Sequence, residues 1–224
     1  MFVTIKNLNF KYPGNDDWVI NDFDYTFKKG DIIGVLGASG SGKSTLLRLM
    51  AGLEVPHTGE MLLYERVIFD KKRIIQPEKR NIGMVFQDYA LFPHMTVEKN
   101  ISYGITSRKD KHKRIKEVLK LVEMEDFAKR YPHELSGGQQ QRIALARALA
   151  PEPSLLLMDE PFSSLDHDLQ IKIRKELRSI IKKAGITSVF VTHNRENCES
   201  ISDEIIELEK GKIKYNKLEA TSLN

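Results

Sequence analysis

Asp31-Ile32-Ile33-Gly34-Val35-Leu36-Gly37-Ala38-Ser39-Gly40-Ser41-Gly42-Lys43-Ser44-Thr45 passes from a short apolar run through a glycine-rich loop into helix formers, which continue to Ala51 and stop at Gly52. Strand, loop and helix in that order make the first βα unit of a parallel sheet. The loop carries the spacing G-x-x-x-x-G-K-S, and phosphate chemistry explains each part of it. Glycines let successive backbone N–H groups curl around phosphate oxygens, and the helix start adds a positive partial charge. Lys43 brings a full charge to the β- and γ-phosphates, and the Ser44 hydroxyl is a ligand for Mg²⁺. Gly37, Ala38, Ser39, Gly40, Ser41, Gly42, Lys43, Ser44 and Thr45 are therefore expected to form a nucleoside-triphosphate site.

A second segment points the same way. Leu155-Leu156-Leu157-Met158 runs straight into Asp159-Glu160. Four apolar residues predict a buried strand whose end delivers two carboxylates beside the phosphate loop, where parallel sheets bind their ligands. A hard divalent cation takes oxygen ligands, so Asp159 is expected to hold Mg²⁺ through water. Glu160 is then placed to polarise an attacking water. The pair favours triphosphate hydrolysis over mere binding.

Outward from these segments, the first thirty residues read as β structure. Phe23, Tyr25 and Phe27 alternate with Asp24, Thr26 and Lys28, the period of a strand with one wet face. Tyr12-Pro13-Gly14-Asn15 is a turn between that strand and the opening run Phe2–Phe10. Ser154–Met158, Thr187–Thr192 and Glu204–Leu208 are further buried-strand candidates, and Gly211 suggests a closing hairpin. Asp166 is placed to cap a helix whose apolar face holds Leu169, Ile173, Leu177, Ile180, Ile181 and Ala184, ended by Gly185. From about Val97 to Ala150 only helical periodicity is found, as at Ile115, Val118, Leu119 and Val122. The expected architecture is an α/β fold of the P-loop NTPase type: a mainly parallel central sheet, an N-terminal antiparallel β part and an inserted helical sub-lobe. Its core is expected over about 1–87 and 151–224, with the sub-lobe over about 88–150.

Composition sets the outer bounds. The chain has 224 residues, 35 basic and 31 acidic side chains and a net charge of +4, too mild to argue for nucleic acid. No uncharged stretch exceeds eleven residues, whereas a membrane-spanning helix needs about 20 apolar ones. The start, MFVTIKNLNFKY, has no apolar core of a signal peptide, and Cys198 is the lone cysteine. An intracellular protein is the expectation.

Leu135-Ser136-Gly137-Gly138-Gln139, followed by Gln140-Gln141-Arg142, resembles the signature of ATP-binding-cassette (ABC) ATPases. The other motifs follow in that family's order: Gln87 in Val85-Phe86-Gln87, then Asp159-Glu160, Ser164-Leu165-Asp166, and His193 in Val191-Thr192-His193. The resemblance runs from Tyr12 to about Gly211. It implies that Tyr12 stacks on adenine, that Gln87 senses Mg²⁺ and the attacking water while linking to the helical lobe, and that His193 contacts the γ-phosphate and positions Glu160 and the water. Ser136-Gly137-Gly138 also has a reading of its own. It opens a second helix start suited to an anion, yet no lysine follows in the equivalent place. The resemblance resolves the incomplete cradle: Ser136, Gly137, Gly138 and Gln139 of one protomer would close over ATP held by the other, with Asp166 at the seam. It implies ATP and Mg²⁺ as ligands and a second copy, or a related ATPase subunit, as partner. ATP hydrolysis would switch the dimer and drive the helical lobes.

Pro77–Val97 looks like the corresponding stretch of importer subunits, which implies integral membrane permease subunits as further partners, no nucleic acid, and a place at the inner face of the cell membrane. Tyr89, Leu91, Phe92 and Met95 are expected to offer apolar contacts to the permease, packing within the helical lobe being the alternative for each. Such importers often continue into a regulatory β domain, and this chain ends 31 residues after His193, so it lacks that domain or was cut. The basic residues Arg108, Lys109, Lys111, Lys113, Arg114 and Lys116 are expected on a solvated face, with lipid headgroup contact or a nucleic-acid patch as the alternatives. Asn194, Ser164 and Glu204 depart from the commonest family residues without removing a catalytic group. The main rival is a soluble ABC-type ATPase acting on DNA or ribosomes, which usually has two cassettes or a long coiled-coil insertion. A GTP switch is disfavoured because the only Asn-Lys pair, Asn216-Lys217, is followed by Leu218-Glu219. Intact Glu160 and His193 argue against a non-catalytic module.

Overall fold

The computed structural model describes residues 1–105, 110–163 and 167–219 and, within the last of these, the side chains of 170–214. Ser164, Leu165, Asp166, the side chain of Leu169, Arg108 and Lys109 therefore lie outside what is described.

The chain opens with a hairpin of β1 (Val3–Phe10) and β2 (Ile20–Phe27), antiparallel across the turn at Tyr12. Phe23 and Phe27 are buried while Asp22 and Asp24 face water, as the alternation requires. β3 (Ile32–Leu36) feeds the glycine-rich loop, and α1 (Lys43–Ala51) follows it. Gly52 ends α1 at φ 87, its N–H capping Arg48 and Leu49 carbonyls. A Cβ there would stand 2.5 Å from the Arg80 guanidinium. That guanidinium is fully buried, donates to the Leu49 and Met50 carbonyls at 2.8 and 2.9 Å, and has its pKa lowered by burial to about 10.

β4 (Thr58–Leu63) and β5 (Arg66–Phe69) form a second hairpin. They join the first in an antiparallel sheet of order β2-β1-β4-β5. The antiparallel part thus draws half its strands from beyond α1, not from the amino terminus alone. β6 (Ile82–Val85) comes next, then α2 (Val97–Ser102), α3 (Lys111–Leu121) and α4 (Gly137–Leu149). No strand occurs among the described residues between β6 and β7 (Leu155–Asp159). α5 (His167–Ala184), β8 (Thr187–Thr192), α6 (Arg195–Ile201), β9 (Glu204–Glu209) and β10 (Lys212–Glu219) complete the chain. Lys210 (φ 47) and Gly211 (φ 75) make the two-residue turn between the last two strands.

The central sheet has the order β10-β9-β3-β8-β7-β6, with only β10 antiparallel to its neighbour. Its two faces bury different cores, which is why β7 and β8 are buried along their whole length without alternation. Leu155, Leu157, Val189 and Val191 pack with α1 and the antiparallel sheet. Leu156, Met158 and Phe190 pack with Ile143, Ile181 and Ile201 of the helices on the other side. No described helix is long and apolar enough to cross a membrane.

Two expectations need correction. Tyr89 is 6% exposed and belongs to the helical core, so its ring is not available to a partner; Leu91, Phe92 and Met95 are half-buried. Its left-handed backbone, φ 61, accompanies this inward packing. Arg114 is not on a purely solvated face either. It donates to the Leu149 and Ala150 carbonyls at 2.8 and 3.1 Å, completing the C-terminal end of α4. Among the departures from the family pattern, Asn194 caps α6 by accepting from Asn197 N–H at 3.2 Å. Glu204 accepts from the Tyr25 hydroxyl at 2.7 Å.

Candidate functional site

Strand order brings the motifs together. β3 lies beside β8, with Leu36 opposite Thr192; β8 lies beside β7, with Val191 opposite Asp159; β7 lies beside β6, with Met158 opposite Val85. Parallel neighbours are about 4.8 Å apart, so their carboxyl ends deliver the glycine-rich loop, Asp159-Glu160, His193 and Gln87 to one edge of the sheet. The cleft there has a volume of about 520 Å³ and is lined by Tyr12, Val19, Ser39, Gly40, Gly42, Lys43, Ser44, Thr45, Gln87, Glu160, Ser163 and His193. A slightly larger cleft, about 580 Å³, opens at the opposite strand ends around Lys29, Ser154 and Thr187. No such convergence of groups marks it, so chemistry rather than size identifies the site.

Inside the cleft, Lys43 Nζ donates to the Gly37 and Ala38 carbonyls at 2.8 and 2.9 Å. Lys43 is 6% and Asp159 7% exposed. Burial lowers the Lys43 pKa, against the pull of Glu160 and Asp159. Burial likewise raises the Asp159 pKa, against the hydrogen bond from Ser44. Each charged form is thus held at some cost, which an incoming anion at Lys43 and a cation at Asp159 would relieve. Ser44 Oγ donates to Asp159 Oδ1 at 2.8 Å, so a hydroxyl and a carboxylate sit side by side as two hard oxygen donors. No group of three or more His, Cys, Asp or Glu able to hold a metal occurs among the described residues. Two protein oxygens suit Mg²⁺, which keeps waters and shares phosphate oxygens, rather than a metal needing a full protein cage.

The Asp159 shift has a stability consequence. A carboxyl whose folded pKa is raised contributes most to stability below its unfolded pKa. That contribution is lost as pH rises through the folded value. Asp159→Asn should therefore raise the melting temperature of the nucleotide-free protein at pH 7 by about 2–4 °C, the shift that ~1 kcal/mol gives a chain this size. The gain should shrink toward pH 4; a lower melting temperature at pH 7 would count against burial as the dominant cause.

Glu160 accepts a hydrogen bond, Oε1 to His193 Nδ1, at 2.9 Å, with Glu160 15% and His193 61% exposed at the side chain. The Glu160 backbone is left-handed, φ 45, held by its N–H donating to Val191 C=O at 3.1 Å. Ser163 Oγ donates to Glu160 C=O at 3.0 Å. Ser163 and Val19 line the cleft without belonging to any of the motifs. The three-residue offset of a hydroxyl from Glu160 was the available sign of the first, and nothing local marks the second. The Tyr12 hydroxyl is 3.2 Å from Thr45 Oγ1, and its ring stands edge-on to Phe10 at 4.9 Å.

Ser136, Gly137, Gly138 and Gln139 do not line this cleft. Ser136 is exposed and caps α4: Gln139 N–H donates to its Oγ at 3.4 Å, and Ser136 N–H donates to Gln139 Oε1 at 2.9 Å. Asp166, the remaining residue expected at a seam, lies outside the described residues.

Residues 20–163 match the family model described as ABC transporter. The chain is 45% identical over 215 residues to an Fe(3+) ions import ATP-binding protein, FbpC, of Haemophilus influenzae strain 86-028NP, covering 94% of this chain and 61% of that protein. It is 44% identical over 217 residues to a probable sulfate/thiosulfate import ATP-binding protein, CysA, of Chlorella vulgaris, covering 95% of this chain and 89% of that one. Among solved structures, the dimeric post-hydrolysis state of the ATP-binding cassette MJ0796 bound to ADP and Pi superposes with a TM-score of 0.79 at 31% identity, over 99% of this chain and all of that one. The chain therefore spans about three fifths of the length of the first of these relatives.

Proposed function

The chain belongs to the ABC transporter family, and from that premise we propose that it is the ATP-binding and ATP-hydrolysing subunit of a solute importer. The observation that carries the reading is the meeting in one cleft of Lys43, of the Ser44–Asp159 contact at 2.8 Å and of the Glu160–His193 contact at 2.9 Å. A phosphate cradle alone would serve a binder; a cradle with a carboxylate and an imidazole over it serves hydrolysis.

In this reading the backbone N–H groups of residues 37–45 and the Lys43 ammonium grip the phosphates, while Tyr12 stacks on the base. Ser44 and Asp159, with Gln87 lining the same cleft, would hold Mg²⁺. When bound, that ion neutralises charge on the β- and γ-phosphate oxygens. Glu160 accepts a proton from the attacking water at its carboxylate. His193, donating from Nδ1 to Oε1, keeps that carboxylate aimed and presents its ring to the γ-phosphate. Release of the cleaved phosphate removes the charge that both cradles of a dimer share.

The second cradle belongs to a partner copy. Ser136 stands exposed at the start of α4, with Gly137 and Gln139 half-buried and Gly138 buried beside it, and the first N–H groups of a helix lack intrahelical acceptors; in a head-to-tail pair Ser136–Gln139 would close on the other protomer's ATP, with Asp166 at the seam. Residues 88–150 act as the lobe that moves, and Leu91, Phe92 and Met95 face a permease helix at the inner side of a membrane. The iron and sulfate/thiosulfate named for two such similar relatives support leaving solute choice to the membrane subunits.

The test is phosphate release from Mg-ATP by the purified chain. Tyr12→Ala should raise KM for ATP roughly two- to tenfold, the worth of one aromatic stack, with kcat nearly unchanged. An unaltered KM would move the base elsewhere, and no turnover by the wild type would end the reading.

A further inference from the structure

Arg147, in the last turn of α4, reaches the segment that follows Gln87. Its Nη2 donates to Tyr89 C=O at 3.0 Å and its Nη1 to Ala90 C=O at 2.5 Å. The guanidinium also lies over the Phe92 ring, 5.6 Å from its centre. Tyr89 and Ala90 are consecutive residues in the left-handed region, at φ 61 and 47. Side chains other than glycine crowd the backbone there, so such a pair persists only where its surroundings hold it. Tyr89 N–H in turn donates to Phe86 C=O at 2.9 Å, closing a tight turn with Gln87 and Asp88 at its centre. Gln87 thus enters the cleft from a turn whose far end is strained and tied to α4.

The chain beyond is held separately. Asn100, fully buried in α2, accepts from Phe92 N–H at 2.8 Å and donates to the Phe92, Met95 and Thr96 carbonyls, each at 3.1 Å. Residues 92–96 are thereby fixed to α2, while Tyr89 and Ala90, two and three residues after Gln87, are fixed to α4, the helix that Ser136 caps.

We propose that Arg147 is a positioning residue for Gln87: by clamping the left-handed pair Tyr89–Ala90 it holds the Phe86–Tyr89 turn, and with it Gln87, in place at the nucleotide cleft. The functional half of this rests on the reading of Gln87 as a contact for Mg²⁺ and the attacking water. A residue that merely filled space between α4 and the turn would affect melting temperature without regard to backbone conformation at Ala90.

The experiment uses the whole purified chain as wild type, Arg147→Met, Ala90→Gly and the double variant. Methionine keeps much of the stem and removes both donors; glycine adopts the left-handed conformation without the side-chain penalty. Arg147→Met should speed amide exchange at Tyr89 about tenfold or more, the effect of losing charged hydrogen bonds to two carbonyls. Interior amides of α4 should be unchanged. It should also raise the Mg²⁺ needed for half-maximal hydrolysis about threefold or more, with KM for ATP nearly constant. Ala90→Gly in the Arg147→Met background should restore much of both. Unchanged Tyr89 exchange in Arg147→Met, or no recovery on adding Ala90→Gly, overturns the proposal. Where exchange rises throughout α4, Arg147→Lys decides, since one retained donor should give intermediate protection at Tyr89 and an equal loss would refute the clamp. A wild type without ATPase activity defeats the functional reading, while the exchange measurements still decide the clamp.

Discussion

Glu160→Gln is expected to bind Mg-ATP as the wild type does and to hydrolyse it at least ~10²-fold more slowly, since loss of a general base typically costs 10²–10⁴. The substitution is close to isosteric, so the left-handed backbone at φ 45 and its bonds to Val191 and Ser163 can persist. A carboxamide oxygen still accepts from His193 Nδ1, which stands 2.9 Å from Oε1; what is gone is a group able to take the proton of water. Lys43, the Ser44–Asp159 contact and Tyr12 are untouched, so nucleotide affinity should be retained. Two measurements separate the steps: equilibrium binding of ATP, and phosphate release in a single turnover. Turnover near the wild-type rate would remove Glu160 from the role of base and leave His193 or solvent to be considered. In the closed-dimer reading, the variant should also accumulate as a dimer with Mg-ATP in light scattering, because the charge that joins two cradles is no longer cleaved.

The fold was legible where local chemistry and tertiary environment agree. The apolar run before Gly37, the helix Lys43–Ala51 and its stop at Gly52, and the strand Thr187–Thr192 all lie where the residue pattern put them. Gly52 shows why: a left-handed cap and the Arg80 guanidinium in its lap both demand glycine. β4, β5 and β6 were not legible. β5 and β6 have four residues each, too few for a period to register, and β6 is interrupted by Gly83. β4 owes its place to pairing with β1, 49 to 60 residues earlier in the chain, and β5 owes its place to pairing with β4. Tyr89 takes the packing alternative: an aromatic in a surface-like segment looks available to partners, whereas its backbone turns it into the core. For the site, motif order pointed to the members, but the contacts among them depend on strand order. Nothing in Thr192-His193 specifies that β8 lies between β3 and β7, and that placement is what brings His193 to Glu160. Ser163 stayed invisible for the related reason that a serine near a turn has many ordinary uses.

Mixing two inactive variants is expected to restore hydrolysis. Lys43→Ala removes the ammonium from the phosphate cradle, and Ser136→Arg fills the start of α4 with a bulky side chain. Each homodimer should lose at least ~10²-fold, the usual cost of a group that stabilises charge in the transition state. The two residues do not share a cleft: Lys43 lines it and Ser136 does not. Ser136 is exposed, and its cap on Gln139 N–H is worth only about 1 kcal/mol, so Ser136→Arg should fold and bind ATP normally in its own cradle. A large loss of turnover would then have to act on another protomer. In a mixed head-to-tail dimer, one composite site combines Lys43 from the Ser136→Arg chain with Ser136 from the Lys43→Ala chain and is whole, while the other site is doubly damaged. An equal mixture should recover roughly a quarter of the wild-type rate, because half the dimers are mixed and one of two sites in each is intact. The recovery should rise with protein concentration as protomers find one another. Were both residues to serve ATP within one chain, no pairing of damaged chains could assemble an intact site, and the mixture would stay at the average of its two parents at every concentration.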